Sequence, residues 1–231
     1  MRLDNVTSTG YGASQPNVLA VRVDGSFGSG HWYEGAGIYR GVQLVRAPAL
    51  HAVEGGLFAS PEVSVEHGSP TIVPVQVEVE NFGNASANAH VTFALQPVGG
   101  GAPIATANAT AVVPSSSTTA AGSVVPWSSW RPPTTIISAQ LSVPAGGLSP
   151  WSVRDPTGLY EVVATVSTAS SAGAGDIDTV VEEVGFRTVA ATLDEGLSLN
   201  GEGFKLRGFS HHNSFTQIGT ALSPRFELYR V

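Results

Sequence analysis

A chain of 231 residues has room for one or two domains. Only 13 % of its residues are charged, and its ten arginines and single lysine, Lys205, are scattered under a net charge of −7, so the basic patch of a nucleic-acid binder is excluded. It has no cysteine, hence no disulfide framework or thiolate metal site, and no apolar run of the roughly 18 residues that a membrane-spanning helix needs.

Abundant valine and threonine suit pleated strands, and 27 glycines with 15 prolines supply turns, so the expectation is an all-β chain. The opening MRLDNVTSTG lacks the apolar stretch of a signal peptide. Sequons at Asn5, Asn84 and Asn108 fit N-x-[ST], and the compartment stays open. Residues 18–24 alternate in strand period, the GSFGSG loop follows, and Gly41–Val45 reads as a second strand. Two strands make no core, so residues 1–49 read as the end of a larger β domain.

Residues 50–190 carry a longer series. Val73, Val75, Val77 and Val79 alternate with Pro74, Gln76, Glu78 and Glu80, and Asn81–Asn84 makes a turn. Val91, Phe93 and Leu95 form the next strand, closed by Gly99–Gly101. Further strands are expected at Ala109–Val113, Ile136–Val143, Tyr160–Val166 and Thr179–Arg187. Six or seven short strands between turns predict an immunoglobulin-like sandwich without the Cys–Trp–Cys signature of antibody domains. Pro114–Pro133 reads as an inserted loop, and 170–176 as a flexible turn.

Residues 191–231 start with an Asn200-Gly201 hairpin flanked by Leu197/Leu199 and Phe204/Leu206. A short strand is expected at Lys205–Phe209, and a helix start at SPRFELYR, with Ser223 as cap and Pro224 in the first turn.

Three stretches, in this order, resemble family 2 glycoside hydrolases of the β-galactosidase kind. NVLAVRVD and HWYEGAGIYRGVQLV, within 17–45, are similar to the last strands of that family's jelly-roll sugar-binding domain. LSPWSVRDPTGLYEVVATV at 148–166, with GFRTV at 185–189, is similar to the end of its immunoglobulin-like domain. LSLNGEGFKLRGFSHHNSFTQIGTAL at 197–222 is similar to the opening of its (β/α)8 barrel. The resemblance implies an internal fragment: 1–49 the end of a jelly roll, 50–190 an immunoglobulin-like sandwich, and 191–231 the first hairpin and strand of a barrel.

The implied chemistry is retaining hydrolysis of terminal β-galactosides by two carboxylates. The family's acid/base glutamate follows an asparagine. The chain has no Asn-Glu dipeptide, so no catalytic residue is assigned within it. The resemblance places His212 at the sugar pocket, hydrogen-bonded to substrate hydroxyls, with His211 second. Arg207 is a candidate for sugar or carboxylate contact; alternatively it forms a structural ion pair. Asn213 stands where relatives often carry an acid. Trp32 and Tyr33 have two readings, stacking on a sugar ring and, the favoured one, a packing anchor between jelly roll and barrel; Arg40 reads as bridging domains and Trp151 as packed on the sandwich, while Trp127 and Trp130 have no assigned role. No metal or cofactor is expected, and two histidines alone make no metal site. The expected partner is a β-glycoside, with neither nucleic acid nor membrane, and the oligomeric state is left open. The competing reading is a non-catalytic β-sandwich that binds carbohydrate or mediates adhesion.

Overall fold

The structure, a computed structural model, describes residues 20–24, 37–38, 40–62, 69–116, 133–168, 177–208, 210, 219, 221–223, 225–226 and 228. The chain divides into two compact units: residues 46–206, and residues 1–45 together with 207–231.

Among the described residues ten strands are formed, in chain order: β1 Leu50–Ala59, β2 Thr71–Asn81, β3 Ala87–Pro97, β4 Ala105–Val113, β5 Thr135–Val143, β6 Leu159–Ser167, β7 Ile177–Gly185, β8 Val189–Thr192, β9 Gly196–Leu199 and β10 Glu202–Gly203. The first seven make two antiparallel sheets, ordered β1-β2-β5 and β4-β3-β6-β7. The last three make a small sheet, β10-β9-β8. All-β architecture is thus as expected from composition. The six strands read from alternation fall within β2 to β7, except that β7 stops at Gly185 rather than Arg187.

Period-two patterning sets which face is buried. Val73, Val75, Val77 and Val79 of β2 turn inward, at most 2 % exposed. From the facing sheet, Ala89, Val91, Phe93 and Leu95 of β3 and Val162, Ala164 and Val166 of β6 meet them in one core cluster. Each valine so buried contributes about 1.5–3 kcal/mol. Register follows: Val77 pairs with Ile137 on β5, and Phe93 with Ala164 on β6.

Polar side chains close the ends of the sandwich. Asn81, 2 % exposed, donates from Nδ2 to the carbonyls of Ala85 (2.9 Å) and Val113 (3.1 Å) and accepts from the Gly83 amide (2.8 Å), which holds the expected turn. Asp178 on the edge strand β7 accepts from the Ala52 amide on β1 at 2.9 Å, linking the two sheets along one side. Tyr160, at the start of β6, accepts at its hydroxyl from the Ser149 amide at 2.7 Å, and its ring tilts against buried Phe186. A tyrosine at this corner bonding back to upstream backbone is a known feature of immunoglobulin-like sandwiches.

Several expectations are corrected. β1 is a strand that alternation did not reveal, because its register shifts between Ala52 and Leu57. The strands expected at 18–24 and Gly41–Val45 are not formed where the chain is described. Residues 20–24 and 41–45 are exposed and in no ladder, Leu44 at 84 %. An apolar alternation becomes a strand only when a neighbouring strand takes up its amides and carbonyls. Residues 204–208 are likewise outside any strand, so the strand expected at Lys205–Phe209 is absent over 205–208. Residues 117–132 and 169–176, which hold most of the expected inserted loop and the flexible turn, lie outside the described residues. In the second unit, Arg225 and Phe226 are helical, and the Phe226 amide donates to Ser223 Oγ at 3.3 Å, the capping contact expected there.

Candidate functional site

The chain leaves the sandwich at the end of β7 through a compact polar corner. Phe186 is fully buried, and its carbonyl accepts from the Trp151 amide at 2.8 Å. The Arg187 amide donates to the Pro61 carbonyl at 2.8 Å, Arg187 Nη1 donates to the Gly185 carbonyl at 2.9 Å, and its guanidinium lies 5.8 Å from the Trp151 ring centroid. Glycine at 185 is required by this packing: an added Cβ would lie 2.9 Å from Trp151 Cβ. Trp151 therefore packs on the sandwich, as expected.

The three-stranded sheet follows directly. Asn200 and Gly201 connect β9 to β10 with φ of 52° and 78°. Two successive positive φ values are the signature of a type I′ turn, for which Asn-Gly is the preferred pair. The expected hairpin is therefore formed. Asn200 does more than turn the chain. Its Oδ1 accepts from the Thr188 amide at 3.0 Å, and its Nδ2 donates to the Trp151 carbonyl at 2.9 Å. The Asn-Gly signal gave the turn; nothing in the sequence pointed to these two side-chain bonds.

Of the sequence-predicted site residues, Arg207 is exposed, directly after Leu206, itself 74 % exposed. His211, His212 and Asn213 lie outside the described residues, as do Trp32, Tyr33, Trp127 and Trp130. Arg40 is described and exposed.

Several carboxylates hold structural partners. Glu80 accepts from His51 Nε2 at 2.9 Å, with the His51 ring tilted against Phe82. Glu78 is hydrogen-bonded to Thr134. Glu161 accepts from the Gly99 amide and from Gln96, both at 3.0 Å; these two bonds, the amide first, hold its carboxyl below the ordinary glutamate range. Asp155 is held below the ordinary aspartate range by the Thr157 hydroxyl and then the Thr157 amide. Among the described residues, no three His, Asp or Glu side chains cluster so as to hold a metal ion. A shallow groove on the outer face of β1-β2-β5 is lined by Phe58, Pro74, Gln76, Ser138 and Gln140.

This architecture can be set against known proteins. No family model matches the chain. A beta-galactosidase of Bacteroides ovatus, BoGH2A, is 28 % identical over 212 residues, covering 91 % of this chain and 22 % of that protein. A provisionally named beta-glucuronidase of Formosa agariphila is 30 % identical over 208 residues, covering 89 % and 17 %. A glycosyl hydrolase family 2 member from Bacteroides cellulosilyticus matches in structure with a TM-score of 0.60 at 20 % identity, over 80 % of this chain and 22 % of that one. The chain is similar to family 2 glycoside hydrolases. It spans about a fifth of the length of the curated relatives it matches. The structural match identifies the fold as a β-sandwich found within such enzymes. The names of the two relatives divide between galactosidase and glucuronidase.

Proposed function

We propose that this chain is part of a longer retaining glycoside hydrolase that acts on terminal β-galactosides. The observation that carries this reading is the extent of the similarity: it covers 91 % of the chain and so extends beyond the sandwich on a glycosidase. On this reading residues 1–49 end a jelly-roll sugar-binding domain, 50–190 form an immunoglobulin-like sandwich, and 191–231 begin a (β/α)8 barrel. Catalytic faces of such barrels are built at the C-terminal ends of the strands. His212, with His211 second, and Arg207 would reach that face and hydrogen-bond sugar hydroxyls, while the two carboxylates come from elsewhere in the barrel. Bonds that tighten as the oxocarbenium-like state forms raise kcat as well as binding.

The test is hydrolysis by the longer enzyme carrying this chain, with chromogenic β-galactoside and β-glucuronide compared at equal concentration. Preference for the galactoside is expected. Preference for the glucuronide would move the specificity, and inactivity on both and on every other β-glycoside would end the glycosidase reading. In the active enzyme His212→Ala should lower kcat/KM by about 10²-fold, roughly 2.7 kcal/mol, with the fold intact by circular dichroism. Wild-type kinetics in that variant would remove His212 from the site.

A further inference from the structure

The small sheet β8-β9-β10 has only a thin apolar support, from the half-buried Leu197 and Leu199 of β9. No residue of 189–203 is buried, and β8 is exposed along its whole length. With little apolar area removed from water, the hydrophobic term that fixes the sandwich strands contributes little here. Specific hydrogen bonds then carry a large share of how this sheet is attached to the end of β7.

Asn200 carries two of them, for a geometric reason. The β8–β9 ladder pairs Val189 with Leu199, so the next pair is Thr188 with Asn200. The Asn200 amide donates to the Thr188 carbonyl at 2.9 Å, as an antiparallel hydrogen-bonded pair requires. The reciprocal bond, from the Thr188 amide, ends not on the Asn200 carbonyl but on its side-chain Oδ1 at 3.0 Å. The left-handed φ of 52° starts the turn at this residue, and the carboxamide oxygen replaces the backbone acceptor in the ladder. The other end of the same carboxamide donates to the Trp151 carbonyl, while the Trp151 amide donates to Phe186. One planar group thus joins the hairpin turn, the start of β8 and the Trp151 loop of the sandwich.

We infer that Asn200 is a positioning residue: its carboxamide locks the β8-β9-β10 sheet to the Trp151–Phe186 corner and so fixes the course of the chain through residues 203–206. The consequence for catalysis rests on the glycosidase reading above; the lock itself does not. Glycine in this place would make the same turn, since it accepts positive φ freely, but could not make the two side-chain bonds. Aspartate would keep the acceptor for Thr188 and lose the donor to Trp151.

Two measurements separate these parts. In the 231-residue chain, hydrogen exchange by NMR should show the Thr188 amide losing at least about tenfold in protection in Asn200→Gly, the order expected for one lost hydrogen bond, and keeping most of it in Asn200→Asp. Core amides such as those of Val77 and Phe93 should be unchanged in both. In the longer enzyme, Asn200→Gly should lower kcat by about tenfold with KM nearly constant and the melting temperature preserved, because misplacement of groups at a reacting centre weakens transition-state contacts first. Asn200→Asp should fall between glycine and wild type. Unchanged Thr188 protection in Asn200→Gly would overturn the lock. Lost protection with unchanged kcat would overturn the positioning role. A wild-type longer enzyme inactive on every β-glycoside would instead overturn the glycosidase reading, with the exchange data still deciding the lock.

Discussion

At the scale of single residues, the polar side chains that matter most in this chain are those that finish hydrogen bonds the backbone leaves open. Asn81, Asp178 and Asn200 each satisfy amides or carbonyls where a strand ends or an edge is exposed. Leaving a buried donor or acceptor unpaired costs about 1–3 kcal/mol, which exceeds the net gain from an average hydrogen bond. Glu161 plays a similar part at the surface, where its two acceptor bonds join β6 to the glycine turn after β3. Because these bonds favour the ionised form, its folded pKa lies below its unfolded one. The unfolded chain therefore binds more protons over that interval, and stability rises with pH. The contribution is complete above the ordinary glutamate value of about 4.3 and fades as the pH falls from there toward the depressed folded value. Glu161→Gln should thus melt below wild type near neutral pH, and the gap should narrow in melts at about pH 3.5. A gap that stays constant or widens on acidification would mean that the charge on Glu161 does not contribute.

At the scale of elements, β1 shows why some strands were legible and one was not. β2 and β3 keep strict alternation, so their buried faces could be read directly. In β1 the buried residues are Leu50 and Ala52, then Leu57 and Ala59; the parity changes from even to odd. Residues 53–56 bulge out between the partners Val79 and Val77, which breaks the period that a sequence reading depends on. β8 escaped notice for a different reason, since none of its residues is buried and it leaves no apolar trace. The reverse error occurred at Gly41–Val45, where an apolar run finds no ladder. The bulge makes a specific prediction for its two glycines. Gly55 has φ 69° with open space around its Cα, whereas a Cβ on Gly56 would lie 2.9 Å from the Val53 carbonyl oxygen and 3.0 Å from Glu78 Cβ. Gly55→Ala should cost about 1 kcal/mol from the left-handed backbone, and Gly56→Ala about 1–3 kcal/mol from overpacking against backbone. Urea midpoints should rank them in that order, and a reversed ranking would contradict the bulge geometry.

At the scale of the whole molecule, the sandwich was legible because burial and alternation are one physical fact seen twice, in the sequence and in the fold. The candidate site was legible only through resemblance. No periodicity in the sequence marks His212 or Arg207, and the side-chain lock at Asn200 depends on a register that local sequence does not encode. The same reasoning bears on activity. A retaining glycosidase holds two carboxyl groups about 5–5.5 Å apart around its substrate, and its barrel takes about 250 residues. Here Glu78, Glu80, Glu161, Asp155 and Asp178 are engaged with Thr134, His51, Gln96, Thr157 and the Ala52 amide. Freeing any of them for catalysis would break a contact that holds the sandwich or its turns. The purified 231-residue chain should therefore unfold as a cooperative unit in circular dichroism melts, through the core of residues 50–186, yet release no nitrophenol from a chromogenic β-galactoside. Host enzyme must first be excluded by a parallel preparation from an empty vector. Turnover above that blank would overturn this expectation. If Glu78→Gln and Glu80→Gln together then abolished it, the chemistry would lie on the outer face of β2 instead of in a barrel.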